Sequence, residues 1–294
     1  MQTAIKVYTL VIRPALEYCA QALFYDRYSQ PTELENSTSF AKELEQLQTQ
    51  ILKALINCPH STSPAILRLF CGVEPLACRL EILKLSYYWR ILKGPTNTIT
   101  HKLLRYRKDN FLSFNKGFVH DTFNICCKYN MLNFWNGISP RNVNPLHSIK
   151  RKIISHNLRL DLETGRSKAC SFASMFLSNP FKYQKKYHLV DPFQQPDCFD
   201  SPDGRKRFIR ALLHPCSYLQ TCTHCKQQYR DKFDHFLTTC PAIFDLRKKL
   251  YLKLAFYNFP RDRIPPVKID ALNLALNNRI LRKCLISFLV DSDF

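Results

Sequence analysis

Apolar residues recur every three or four positions in the first third of the chain, which is the spacing of one face of an α-helix. The clearest stripe runs from Phe40 to Leu55, and its polar residues, Glu45 and Gln48 among them, fall on the other side. A second stripe begins at Leu76 and stops at Gly94. These patterns predict two amphipathic helices, each with one buried face.

Proline and glycine predict where the other helices of this segment bend, begin and end. Residues 2–29 have a helical pattern that should bend near Pro14, because proline lacks a backbone donor and restricts the residue before it. Ser63-Pro64 suits the N-terminus of a short helix, and Gly72 suits its C-terminus. We therefore expect residues 1–95 to form a helical bundle.

The pattern is weaker from 96 to 204, where six prolines and scattered aromatic residues predict short, loosely held helices and loops. Turn-forming residues are concentrated at 191–204, which is typical of a linker. Beyond it, helices are predicted from Lys206, from Pro241 and along an apolar stripe between Ile269 and Phe288.

Charge and cysteine content narrow the class of protein. The 294 residues include 43 Lys and Arg against 23 Asp and Glu, giving a net charge of +20, most of it between 96 and 256. Such a field attracts polyanions and favours nucleic acid as a partner, although a solubilising surface is the alternative. Thirteen cysteines at irregular spacing, without a secretion signal, do not indicate a disulfide-rich secreted protein. The chain also lacks the roughly 20-residue apolar run of a membrane span, so we expect an intracellular protein of the nucleus, the cytoplasm or both.

Four potential metal ligands lie close together near the C-terminus. Cys222-x2-Cys225 places two thiols on one turn, and His235-x4-Cys240 supplies two further ligands after a short excursion. Three thiolates and one imidazole close a tetrahedral zinc site without an open position, so the predicted zinc is structural. The alternatives are ordinary buried cysteines beside a surface histidine, or a ligand set in which His224 or Cys216 takes part.

Basic and aromatic residues surround these ligands, and together they predict a nucleic-acid surface in which rings stack on unpaired bases. The alternative is that the rings form a small core around the metal, and for Phe236 we prefer that interpretation. The predicted nucleic-acid contacts are Lys206, Arg207, Arg210, Lys226, Tyr229, Arg230, Lys232, Arg247, Lys248 and Lys249.

Two groups of motifs occur in an order that resembles a known family. The first comprises the segments 6–20, 44–48, 63–67 and 72–76, followed by Arg79. The second comprises Cys222-x2-Cys225, Asp234-His235, Cys240-Pro241 and Arg247. The first resembles the helical segment that follows the polymerase palm in non-LTR (LINE-type, jockey-like) retrotransposon reverse transcriptases. The second is similar to the Cys-Cys-His-Cys element near the end of many of those proteins.

The resemblance implies three segments in a mainly α fold. Residues 1–95 would be a thumb-like helical bundle, 96–204 an irregular basic region, and 205–294 a small zinc-knuckle region with C-terminal helices. It also implies RNA or DNA as partners, together with an upstream polymerase portion of the same element.

Catalysis by this chain itself is not expected. Polymerase chemistry needs paired carboxylates that hold two metal ions, and the family's F/Y-x-D-D pair does not occur in this sequence. We therefore expect a non-catalytic C-terminal part of a reverse transcriptase. The alternatives are a stand-alone zinc-knuckle RNA-binding adaptor and a protein-interaction scaffold.

Overall fold

A computed structural model describes residues 2–18, 40–113, 117–138, 145–169, 202–213, 219–256 and 279–292. These residues are mostly helical, so the predicted mainly α fold is confirmed. The helices are α1 (Gln2–Val7), α2 (Arg13–Glu17), α3 (Phe40–Ile56), α4 (Pro64–Cys71), α5 (Leu76–Lys93), α6 (Ile99–Asp109), α7 (Phe118–Lys128), α8 (Leu132–Trp135), α9 (Pro145–Lys168), α10 (Pro202–Leu212), α11 (Lys232–Thr238), α12 (Phe244–Phe256) and α13 (Arg279–Asp291). Strands β1 (Gln220–Thr221) and β2 (Gln228–Tyr229) form one small antiparallel hairpin.

The chain divides into two compact units that each combine segments distant in sequence. The first unit contains 1–5, 51–73 and 160–294, and the second contains 6–50 and 74–159. This division is based on contacts in space, whereas the sequence patterns predicted three consecutive segments. The boundaries at 95 and 204 stay predictions.

The helix irregularity expected near Pro14 is present as a π-helical turn, Tyr8–Ile12, between α1 and α2. A proline ring clashes with the carbonyl of the residue four positions earlier and offers it no donor. The wider π turn relieves that conflict by inserting one residue into the helical repeat.

The N-terminus of α5 is capped by side chains of α3, which the amphipathic pattern did not indicate. Gln48 is fully buried, and its amide nitrogen donates to Glu74 O at 3.1 Å while its Oε1 accepts from Leu76 N–H at 3.0 Å. Glu45 accepts from Ala77 N–H at 2.7 Å. The prediction that Glu45 and Gln48 face solvent is wrong, because the first amides of α5 have no partner within their own helix.

The middle of the chain is more regular than its sequence pattern indicated. Within the second unit, α5, α7, α8 and the first half of α9 contribute to one hydrophobic cluster. Tyr88 stacks on Trp135 with centroids 5.3 Å apart and donates its hydroxyl to the Trp135 carbonyl at 2.7 Å. The expectation of short helices is confirmed for α6, α7 and α8, but these described residues pack into a shared core and are followed by the 24-residue α9, so the expectation of loose packing is wrong.

Charged residues are also part of this interior. Lys84 and Asp121 are both almost fully buried and form an ion pair with Nζ 2.6 Å from Oδ2. Nearby, Glu81 accepts from Lys128 at 2.7 Å and from the Tyr129 hydroxyl at 2.6 Å. The buried surface of α5 is therefore wider than its apolar stripe. Its charged side chains can be buried because a partner of opposite charge or a hydrogen-bond donor offsets their loss of water.

Helices of the first unit support the C-terminal region. Helix α13 contacts both α10 and α12, and buried Phe208 and Leu289 belong to these helices. The Arg68 guanidinium contributes an ion pair with Asp161, with Nε 2.9 Å from Oδ2.

The predicted helix from Pro241 and the C-terminal part of the last stripe are present. The segment 257–278 and most of the linker predicted at 191–204 lie outside the described residues, apart from 202–204 at the start of α10.

Candidate metal centre

The first two candidate ligands lie on the turn of the β1–β2 hairpin. Cys222 N–H donates to Gln227 O at 2.8 Å, and Lys226 N–H donates to Cys222 O at 3.0 Å, so the backbone folds tightly around the first thiol. Lys226 has a φ of 61°, in the left-handed region that non-glycine residues rarely occupy. The turn therefore directs Cys222 and Cys225 toward the same point at the expense of local backbone strain.

The other two ligands are positioned by α11. The side chain of Asp231 accepts from Asp234 N–H at 3.0 Å and so caps the helix N-terminus. His235 lies in the middle of this short helix and is buried. Cys240 follows the helix, and its N–H donates to His235 O at 2.9 Å, which brings the last thiol back beside the imidazole.

The four ligand atoms have the dimensions of a single metal centre. All of them lie within 4.8 Å of one another. Cys222 Sγ is 3.9 Å from Cys240 Sγ, and Cys225 Sγ is 3.3 Å from His235 Nε2. A tetrahedral ion with metal–sulfur bonds near 2.3 Å places its sulfur ligands about 3.8 Å apart. The Cys222, Cys225, His235 and Cys240 group can therefore hold one metal ion, as the spacing predicted.

One of the two spare ligands considered from the sequence, His224, is not part of this group. His224 is exposed, and its ring packs edge-on against Phe236 with centroids 5.6 Å apart. Its side chain therefore contacts the outside of the knuckle core. Cys216 lies outside the described residues.

Thr239 orients the histidine ligand, a role that the sequence pattern did not indicate. His235 Nδ1 lies 2.9 Å from Thr239 Oγ1, while Nε2 is directed toward Cys225. Donation from Nδ1–H to the hydroxyl leaves the Nε2 lone pair for a metal, which is the usual arrangement around a histidine ligand. The only sequence signal is the i, i+4 spacing of a hydroxyl after a helical histidine.

The protonation equilibria of the ligands favour metal binding at two positions. Burial, and then the positive charge of Arg247, lower the pKa of His235, so its imidazole is held neutral. Burial alone would raise the pKa of the Cys222 thiol, but hydrogen bonds from the backbone N–H groups of Cys225 and His224 lower it below the usual value. A neutral imidazole and a thiolate are the ligand forms of these side chains.

The aromatic residues near the ligands are used mostly for packing. Phe233 and Phe236 are almost fully buried, which confirms the preferred interpretation of Phe236 as core. Tyr229 is half-buried and stacks on His235 with centroids 5.1 Å apart and planes 10° apart. Its hydroxyl donates to Gln220 Oε1 at 3.1 Å. One face of Tyr229 is thus covered by the histidine ligand, as the alternative interpretation of the rings expected.

The predicted basic contacts differ in their exposure. Lys206, Arg207 and Lys232 are partly buried, and Lys232 Nζ lies 5.2 Å from the centroid of Phe236. The exposed members of the predicted set are Arg210, Lys226, Arg230, Lys248 and Lys249.

Arg247 does not belong to an exposed basic face. It is 8% exposed, and its Nη1 donates to Phe236 O at 3.3 Å. Tyr251 donates its hydroxyl to Leu237 O at 2.8 Å. These two carbonyls are among the last four of α11, which have no partners within the helix. Arg247 therefore does not share the exposure of Lys248 and Lys249, since its guanidinium caps α11, and its predicted contact with nucleic acid stays a prediction.

Comparison with protein-family models, curated proteins and solved structures finds no significant match to this chain. Among the described residues, no helix combines the length and the apolar character that crossing a bilayer requires.

Proposed function

We propose that this chain is the non-catalytic C-terminal part of a LINE-type retrotransposon reverse transcriptase, and that it binds RNA or DNA through a zinc knuckle and the basic residues around it. The observation that carries the proposal is a compact four-ligand centre with exposed Lys226 and Arg230 between its ligands in the sequence and exposed Lys248 and Lys249 on the following helix, α12. The motif order that resembles the family supports the wider assignment.

Zinc is the metal that this ligand set favours. Thiolate and imidazole ligands in a tetrahedral arrangement are typical of Zn²⁺, and four protein ligands leave no position for a reactive water. The ion would hold together β1, β2 and α11, which are too small to bury a core of their own. Its binding energy would accordingly stabilise this part of the fold.

The nucleic-acid part of the proposal rests on charge. Residues 205–256 contain far more Lys and Arg than Asp and Glu, and Lys226, Arg230, Lys248 and Lys249 are exposed. Lysine and arginine contacts with phosphates release bound counterions, which makes affinity depend steeply on salt. This chain would hold template or target nucleic acid, and the polymerase chemistry would belong to carboxylates that its sequence lacks.

The salt dependence of binding tests this proposal. The double variant Lys248→Ala/Lys249→Ala should reduce the slope of log affinity against log salt on a single strand by about 0.7 for each lost phosphate contact. The matched control is Lys102→Ala/Arg105→Ala, which removes two exposed basic side chains from α6 in the other unit. An unchanged slope for Lys248→Ala/Lys249→Ala, or an equal loss in the control, would contradict a binding surface at the knuckle.

The family assignment has a separate test in genomic sequence. An in-frame F/Y-x-D-D motif should lie in the DNA upstream of the codon for Met1 if the chain belongs to a longer reverse transcriptase. A genomic locus that encodes only an unrelated upstream frame would remove the polymerase connection, and a stand-alone RNA-binding adaptor would then be the better interpretation.

A further inference from the structure

An exposed aromatic ring lies four residues after the last metal ligand. Phe244 is the first residue of α12, and 57% of its surface is exposed. In contrast, Phe236 is buried and Tyr229 stacks on His235. A single exposed apolar residue is ordinary on a protein surface. The surroundings of Phe244 distinguish it from such a residue.

The backbone before Phe244 is anchored on both sides. Cys240 caps a 3-10 turn, Pro241–Ile243, and the Phe244 N–H donates to Pro241 O. Ile243 is buried next to the exposed ring. The position of Phe244 is therefore fixed by the metal centre, because Cys240 is a ligand and only one turn separates the two residues.

A buried cation supports one side of the ring. The Arg247 guanidinium carbon lies 5.7 Å from the Phe244 centroid, within the range of a cation–π contact. Arg247 is itself held by its hydrogen bond to Phe236 O. The ring is thereby held in place before any ligand arrives, which reduces the ordering cost of binding on its other side.

A basic side chain shares this surface. Lys248 lies one helical turn after Phe244 on the same side of α12, and it is exposed. An exposed Asp245 lies about a quarter turn away, on a different side of the helix. An aromatic face beside a lysine fits an unpaired base and the phosphate attached to it, whereas the bases of a duplex are stacked on one another and expose no face.

We propose that Phe244 is the base-stacking residue of this surface and that it makes the knuckle selective for single-stranded nucleic acid. The inference rests on the proposed function, since it assigns the strand type that the same site binds. It also replaces Tyr229, the ring that the sequence pattern favoured for stacking.

The experiment compares Phe244→Leu and Phe244→Trp with the parent chain on an oligothymidylate of about 12 nucleotides and on its duplex with oligoadenylate. Phe244→Leu should weaken single-strand binding by about 5- to 150-fold and leave duplex binding unchanged, because only the aromatic face is lost. Phe244→Trp should restore the single-strand affinity. The slope against salt should be unchanged in both variants, because stacking releases no counterions.

Tyr106→Leu is the matched control, because Tyr106 is an aromatic residue of similar exposure, 56%, on α6. It should leave both affinities unchanged. Metal content and circular dichroism confirm that each variant is folded. If the parent chain binds the single strand and Phe244→Leu binds it with an affinity within twofold of the parent's, this inference is overturned while the proposed function stands. A parent that shows no salt-dependent binding to either probe would overturn the proposed function and this inference with it.

Discussion

Replacing Arg247 with methionine separates a structural role from a nucleic-acid-binding role at one position. Methionine keeps much of the apolar stem and removes the guanidinium, so the variant loses the hydrogen bond to Phe236 O and the contact with the Phe244 ring. A hydrogen bond that involves a charged group contributes about 1.5–3 kcal/mol. We expect the knuckle to lose about that much free energy of unfolding.

A reporter at the metal centre measures this loss locally. Co²⁺ substituted for zinc has visible absorption bands that depend on tetrahedral coordination, so a urea titration of those bands follows unfolding of the knuckle. With a urea dependence of about 1–3 kcal/mol per molar, the midpoint of Arg247→Met should fall by about 1 M. Lys248→Met is the control, because Lys248 is an exposed neighbour and should shift stability by less than about 0.5 kcal/mol.

Binding measurements on the same variants complete the test. Without urea, where the knuckle is folded, Arg247→Met should not change the slope of log affinity against log salt for a single strand. Lys248→Met should decrease that slope. A parent-like urea midpoint for Arg247→Met, together with a reduced salt slope, would refute the structural role and return Arg247 to the binding surface.

Four further outcomes are expected. Elemental analysis should find one zinc per chain, and a metal-free parent would contradict the metal centre. Cys225→Ser should abolish zinc binding and reduce the helical circular dichroism signal, mainly by unfolding the region after residue 204. Thr239→Val should lower metal affinity in chelator competition by about 10- to 100-fold, whereas Thr238→Val should not, because only Thr239 contacts the histidine ligand. Lys84→Met should lower the free energy of unfolding by about 3–5 kcal/mol in chemical denaturation, because it removes the cation that pairs with the buried Asp121. Adding Asp121→Leu should recover part of that loss, and equal stability of the single and double variants would argue against the buried pair. The purified chain should incorporate no templated nucleotides with Mg²⁺ or Mn²⁺, and activity that persists through repurification would refute the non-catalytic assignment.

The sequence by itself determined the features that depend on neighbouring residues. The helices beginning at Pro64 and Leu76, and the end of the first of these at Gly72, follow from proline, glycine and helical spacing. The ligand group was also predictable, because the turn between Cys222 and Cys225 and the single helix before Cys240 bring its members together through local backbone hydrogen bonds.

Only the tertiary structure decided which polar and aromatic side chains face solvent. Gln48 and Arg247 have the sequence signature of surface residues, yet one caps the start of α5 and the other caps the end of α11. Tyr229 and Phe244 are both aromatic residues among basic ones, and a histidine covers the first while the second stays exposed. Helical periodicity specifies the direction in which a side chain points, but burial depends on whether another segment supplies the partner that offsets its desolvation. That partner can lie far away in the sequence, so its presence is a property of the folded chain.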